Sequence, residues 1–271
     1  MHVTNRHIAT EQRSFAEILE EFESNKRWAT TFFSRLKSVL TIPNNARVLD
    51  IGAAAGEFVA ACHQLGYECD GVEPWAVARL NAAKLAAHLG IPIRLVEGTA
   101  ESIPYGDNTF DVVYSRSVLE HVADLDKTIA EISRVVKPGG VFWFQTASSM
   151  CPRQSEIEVF PLFGWYPDGL KLKIMNWARD AKPHLVGYTK TPAIHWFTPT
   201  KVNLLLGRHG FNQIYDRWDL RGLDEGGSLY KLALAGIRLT RFSKTIADIL
   251  VPDCAYAAIK HWQEDYTPDR K

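Results

Sequence analysis

An α/β fold, with a mostly parallel sheet sandwiched by helices, is predicted by three features of this chain. Short apolar runs alternate with amphipathic helical patterns over residues 47–147, the rhythm of parallel strands joined by covering helices. The first run, VLDI, opens through the small-residue turn GAAAG into a helical stretch. Two further apolar runs, around residues 211–215 and in AYAAIKHW, complete a set of seven strands.

The N-terminal segment reads as two amphipathic helices. Phe15, Ile18, Leu19 and Phe22 share one face, and Trp28, Phe32, Leu36 and Val39 continue the pattern. TIPNNA breaks the helix and leads into a strand at 47–51. A helix then runs to about Leu65 and is ended by Gly66, and a second strand covers 68–72. Pro74, with its fixed φ, suits the first position of a helix that stops near Gly90. Residues 93–96 and 110–115 read as strands three and four. Asp124 is placed to cap a helix reaching Val136, with Ile129, Ile132 and Val136 on its buried side. KPGG then turns the chain into a fifth strand, VFWFQTA.

After Ala147 the rhythm stops for about fifty residues rich in Trp, Tyr, Pro and Lys. Thr198 and Pro199 start a helix and Gly210 stops it, ahead of the sixth strand. Between the last two strands lies a helical insertion in which Leu229, Leu232, Ile237, Phe242, Ile246 and Ile249 recur at roughly helical spacing. The expected organisation is a helical cap over residues 1–43 and one domain over 44–271, interrupted by insertions at about 151–195 and 226–250.

Composition narrows the function classes. The 271 residues carry 31 basic and 31 acidic side chains, which argues against a broad nucleic-acid footprint. No apolar run reaches the length of a membrane span, and the polar start MHVTNRH does not read as a secretory signal. Cys62, Cys69, Cys151 and Cys254 are scattered, as expected of reduced thiols in a cytoplasmic protein. Cys62 and His63 are adjacent, but adjacent helical residues point in different directions, so no metal site is expected there.

In an open parallel sheet, ligands sit beyond the carboxyl ends of the strands, where the strand order reverses. The turn after the first strand is therefore the place to look. Gly52 and Gly56 allow a sharp turn and close approach of the backbone to a ligand. Ala54 adds a methyl group that a pyrophosphate would meet, whereas an amino acid and a ribose would tolerate it. Asp50 points the same way, since a carboxylate repels phosphate and suits an ammonium group. Glu73, 23 residues after Asp50 in the chain, lies where a carboxylate can accept hydrogen bonds from both ribose hydroxyls. The alternative for Glu73 is a solvated acid favoured by a helix N-terminus.

VLDIGAAAGEF, GVEPW, GTAESIPYGDNTFDVVYSRSVLEHV and RVVKPGG occur in this order. Together they resemble the successive motifs of class I S-adenosylmethionine-dependent methyltransferases, especially the group containing ubiquinone-biosynthesis and natural-product enzymes. The resemblance covers about residues 46–147, with weaker support from HWFTP onward, and implies a Rossmann-like fold. It implies that Asp50, Gly52, Ala54 and Gly56 frame the methionine part of S-adenosyl-L-methionine, and that Glu73 binds the ribose, with Pro74 and Trp75 beside it. It implies that Ala100 meets the adenine through its backbone with Glu101 alongside, and that Ser115 approaches the methionine amino group. Thr99 stands where many relatives have an aspartate, which removes a charge from the adenine contact. Trp75 is read either as a cover for the adenine or as core.

Methyl transfer requires alignment of the partners and exclusion of water, because the donor is already activated. An oxygen acceptor also gains from a base. His121 in LEHV and His195 ahead of WFTP are the candidates, each set against a packing role; His184 is a weaker one. The acceptor is expected to be a small molecule or lipid-linked. Its specificity is assigned to the N-terminal helices and to both insertions, whose Lys171, Lys173, Arg179 and Lys182, and Lys231, Arg238, Arg241 and Lys244, lie among apolar residues. Either these segments cover an apolar acceptor with a negative group, or they touch a membrane, or they form a packed cap with a solvated charged face. Peripheral membrane contact and a homodimer both stay open. The competing classes are a non-catalytic member of the same fold and a nicotinamide-dependent dehydrogenase. Nucleic-acid methylation is disfavoured, since Ser115, Arg116, Ser117 and Val118 replace the Asn/Asp-Pro-Pro-Tyr type of motif.

Overall fold

A computed structural model describes residues 13–154, 156–186 and 191–261. The start of the N-terminal cap expected from residue 1, residues 155 and 187–190 of the first insertion, and Trp262 of the last apolar run lie outside these residues. The described chain starts with one helix, α1 (Phe15–Val39), rather than two. Ser14 caps it, and Glu17 returns a bond to the Ser14 amide. Within it the buried Asn25 side-chain amide donates to the Glu21 carbonyl at 2.9 Å.

Strand and helix then alternate: β1 (Arg47–Ile51), α2 (Glu57–Gln64), β2 (Glu68–Val72), α3 (Ala76–Leu89), β3 (Arg94–Val96), β4 (Phe110–Arg116), α4 (Leu125–Val135) and β5 (Val136–Ala147). Asp124 caps α4 through the Lys127 amide. Lys137, Pro138, Gly139 and Gly140 do not form a separate turn. They fall inside β5 as an irregularity, where the pairing with β4 slips between Phe110 and Val112, and Gly139 takes a φ of 76° to allow it. The C-terminal part adds α5 (Asp168–Ala181), α6 (Pro199–Arg208), β6 (Phe211–Asp216), α7 (Arg217–Leu220), α8 (Ser228–Arg238), α9 (Arg241–Ile249) and β7 (Asp253–Lys260).

The seven strands form one sheet in the order β3-β2-β1-β4-β5-β7-β6, parallel except for β7. Two layers of apolar side chains cover it. On one face α1 and α2 bury Phe32, Phe33, Leu36 and Phe58 against Val48, Tyr114 and Trp143. Phe58, Tyr114 and Trp143 stack with ring centroids 3.9 and 4.8 Å apart, and the Trp28 indole donates to the Tyr114 hydroxyl at 2.9 Å. On the other face α4 and α6 bury Ile129, Ile132, Val202 and Leu206 against Leu49, Val113 and Phe142. The first insertion makes its own small core, with Ile157, Phe163, Met175 and Trp196 packed on Ala147. Lys171 is buried there, 3.2 Å from Asp168 and over the Trp196 ring, so it supports the insertion rather than a charged outer face.

Because β1, β2, β4 and β5 are parallel, their carboxyl ends share one edge, and the strand order reverses between β1 and β4. Antiparallel β7 begins at that same edge, with Asp253 opposite Ala147.

Candidate active site

The turn after β1 uses three left-handed residues, Gly52, Ala54 and Gly56, with φ of 74°, 49° and 76°. A Cβ at Gly52 would lie 2.4 Å from a Val118 methyl, and one at Gly56 2.5 Å from an Ile93 methyl. Both glycines are therefore required by packing as well as by φ. Ala54 carries its methyl in a conformation that costs a chiral residue about 1–2 kcal/mol. Its amide explains how the turn is kept: it donates to Glu73 Oε2 at 2.9 Å. The other oxygen of Glu73 accepts the Trp75 amide at 3.0 Å. A carboxylate has about four acceptor positions, so two remain for a ligand.

Asp50, Glu57 and Glu73 are all buried at this edge, none more than 4 % exposed. Burial raises the pKa of each. The Asp50 carboxyl is pushed up further by the charges of Glu57 and Glu73, against a smaller opposing pull from Arg116. Glu57 meets Arg13 at 2.6 Å; burial still outweighs that pairing and leaves its pKa raised. Glu73 is raised by burial, partly offset by its two amide bonds. Three buried carboxyls thus share this edge, and among the ion pairs of the described residues only Glu57 meets a cation, Arg13.

The remaining candidates are brought to the same edge in different states. Ser115 is fully buried, and its hydroxyl has no hydrogen-bond partner among the described residues. Ala100 is buried and Thr99 exposed. The Glu101 carboxylate accepts the Ala123 amide at 2.8 Å, tying the loop after β3 to the loop after β4. Pro74 and Trp75 lie at the rim; Trp75 is 41 % exposed, which takes it out of the core.

The loop after β4 carries both candidate histidines' surroundings. His195 Nε2 lies 3.0 Å from the Val122 carbonyl, and the His195 and Ile194 amides donate to the Glu120 carbonyl. His195 is thus anchored by backbone on the loop that presents His121. His121 itself groups with Glu120 and Glu156, all ligand atoms lying within 4.8 Å of one another. These three have the composition to take a divalent cation or to share protons. Burial pushes the Glu120 carboxyl up to about 7, with the Thr146 hydroxyl bond opposing. Burial, then the charge of Glu120, pushes Glu156 up to about 7. Burial lowers the pKa of His121, with Glu156 opposing.

Next to this edge, between α1, β5, β7 and α7, is a cavity of about 330 Å³. Trp28, Phe32 and Trp143 give it apolar walls; Arg217, paired with Asp253 at 2.6 Å, Arg35, paired with Glu225, and Arg221 also line it. Arg116 lies over the Trp28 ring, 5.9 Å from its centroid, and its charge acts on Asp50.

Residues 49–144 match the methyltransferase domain family. Those residues are a methyltransferase domain. The chain is 38 % identical over 97 residues to the uncharacterized methyltransferase YcgJ of Bacillus subtilis, covering 35 % of this chain and 38 % of the relative. It is 35 % identical over 101 residues to the ubiquinone biosynthesis O-methyltransferase of Mesorhizobium japonicum, covering 37 % and 40 %. The chain thus spans well under half the length of these relatives in alignment. In the solved structures, YcgJ shares the fold at a TM-score of 0.53 and 17 % identity, over 86 % of this chain and 98 % of that one. So does the phosphoethanolamine N-methyltransferase 2 of Haemonchus contortus, solved in complex with S-adenosyl-L-methionine, at 0.53 and 17 %, over 87 % and 53 %.

The fold also presents functional candidates that the motifs alone did not single out. Glu57 directly follows Gly56, and Glu120 directly precedes His121, so both had a signal next to residues already chosen. Arg116 likewise directly follows Ser115, whereas Glu156 reaches His121, and Arg35 joins Arg217 and Arg221, only through the fold.

Proposed function

We propose that this methyltransferase domain transfers the methyl group of S-adenosyl-L-methionine to an oxygen of a small-molecule or lipid-linked acceptor, leaving S-adenosyl-L-homocysteine. The observation that carries the reading is the buried acidity of Asp50, Glu57 and Glu73. A ligand with sulfonium and ammonium charges suits such a pocket. A dinucleotide would instead add pyrophosphate charge of the same sign, and its phosphates would press on the Ala54 methyl. The orphaned Ser115 hydroxyl gives a further polar group ready for a ligand, and the spare acceptor positions of Glu73 suit two ribose hydroxyls.

When bound, the cofactor supplies an activated methyl group. The chain's own work is to hold and to dry the reactants. Asp50 attracts the cationic part, Glu73 fixes the ribose, and the Gly52 to Gly56 turn sets the distance of the backbone. His121, kept neutral by burial, takes the acceptor's proton, and Glu156 beside it stabilises the imidazolium that results. His195 serves as an anchor for that loop.

A calorimetric titration with S-adenosyl-L-homocysteine and, separately, with NADH tests the cofactor assignment; binding of NADH alone would reverse it in favour of a dehydrogenase. Methyl-labelled cofactor offered with a panel of phenols, hydroxy acids and amines, followed by mass analysis, tests the transfer. Label on nitrogen alone would replace the oxygen assignment, and cofactor binding with no label on any acceptor would favour a non-catalytic member.

A further inference from the structure

The sequence leaves the second insertion open between a cover for the acceptor, a membrane contact and a packed cap, and the structure turns most of its recurring apolar residues outward. It forms two helices rather than one, divided at Thr240, which caps α9. Tyr230, Leu234 and Ile237 of α8, with Ala247 of α9, pack on Trp218 and Val251. At 100° per residue, Leu232 and Leu239 fall on the opposite side of α8 from that seam. Leu229, Leu232, Leu239, Phe242 and Leu250 are 72–85 % exposed, and Ile246 is 48 % exposed. Scattered single apolar residues need no explanation; six large ones on one helical pair do.

The charges of this unit are equally one-sided. Residues 228–250 contain four bases and one acid, Asp248. Asp248 faces inward and accepts the Trp218 indole N–H at 2.7 Å. Arg238 donates to backbone carbonyls of Trp218 and Asp219, and Lys244 is paired with Asp216 and Asp219. Lys231 and Arg241 are left exposed among the outward leucines and phenylalanine. The outer surface therefore presents apolar side chains and positive charge with no acid of its own.

We propose that α8 and α9 dock this chain on an anionic lipid surface. Apolar side chains enter the headgroup boundary while Lys231 and Arg241 meet the negative heads. A second copy fits less well, because a two-fold interface through this patch would set the same cations against each other with no acid between them. Among the described residues no helix is long and apolar enough to cross a membrane, so the pair lies on the surface. The same α7 that holds this pair lines the 330 Å³ cavity. Resting on the methyl-transfer reading, docking would bring that cavity to an acceptor carried by the lipid.

Flotation with phosphatidylcholine vesicles, with and without phosphatidylglycerol, at low and physiological salt, tests the docking. The full chain should float with the anionic vesicles, less at higher salt. Leu232→Ser with Phe242→Ser should lower the bound fraction more than about tenfold, and Lys231→Glu with Arg241→Glu should remove the preference for the anionic lipid. These side chains are exposed, and unchanged circular dichroism would verify the fold. Absence of vesicle binding by the wild-type chain, or self-association in light scattering that the Leu232→Ser, Phe242→Ser pair abolishes, would overturn the proposal. Titration with S-adenosyl-L-homocysteine reads the cofactor site separately, so loss of one reading leaves the other intact.

Discussion

Glu73, at the end of β2, holds the amide of Ala54 in the turn after β1 at 2.9 Å. The acid assigned to the ribose therefore also fixes the turn that would face the rest of the cofactor, and one side chain couples both halves of the pocket. Replacing Glu73 by Ala should weaken S-adenosyl-L-homocysteine binding more than tenfold, at least about 1.4 kcal/mol. Glu73→Gln keeps acceptor capacity on one oxygen only and should lose less. Calorimetry on the three forms measures this, and equal affinities would remove Glu73 from the ribose.

Ala54 sits at a φ of 49°, where glycine is relieved of its methyl. Ala54→Gly should therefore leave stability unchanged or raise it by up to about 1 kcal/mol, the left-handed cost less the extra chain entropy of glycine. Ala54→Val should lose roughly 2 kcal/mol or more, because a β-branched residue is a strong outlier there. Urea midpoints compare the three. A clear loss in Ala54→Gly would mean that the methyl packs better than its backbone conformation costs.

The strand-helix rhythm and the acids at strand ends were legible because each depends on residues close in sequence. β2 begins and ends with residues 68–72, as the sequence reading has it, and Gly66 and Gly90 stop their helices with φ of 85° and 64°. What local pattern could not show is direction. Leu232 and Phe242 have helical spacing, yet spacing alone does not say which face meets the protein, and here Tyr230, Leu234, Ile237 and Ala247 form the seam. Glu156 was hidden for another reason. Its partner His121 is far along the chain, and the insertion that returns it carries no repeating pattern. The apolar pattern of residues 15–39 likewise reads as two helices, where the chain forms one.

His121 is the base in the proposed reaction, so His121→Asn should lower kcat by about 10²-fold or more with little change in affinity for S-adenosyl-L-homocysteine. His195→Asn loses only the bond to the Val122 carbonyl and should cost kcat far less. Measuring both rates with the acceptor found in the labelling screen separates chemistry from loop support. Equal, small effects in the two variants would leave His121 as a packing residue.

Glu120 and Glu156 make the fold sensitive to pH in a direction that follows from their burial. Each holds its proton up to about 7, against 4.5 for an ordinary glutamate. A carboxyl that binds its proton more tightly in the folded state stabilises that state fully below 4.5, and the benefit fades as pH rises and is gone above about 7. For one such group the span corresponds to roughly 3 kcal/mol. His121, whose pKa is lowered, acts oppositely, penalising the folded state once pH falls below the ordinary histidine value. The two carboxyls outweigh it over the range from 5 to 7, since His121 also gains from the charge of Glu156. Wild-type stability to urea should therefore fall from pH 5 to pH 8. Glu156→Gln, which cannot ionise, removes one of the two carboxyls and eases the charge on Glu120, so its curve over the same range should be distinctly flatter. A parallel decline in both proteins would show that Glu156 ionises as freely folded as unfolded.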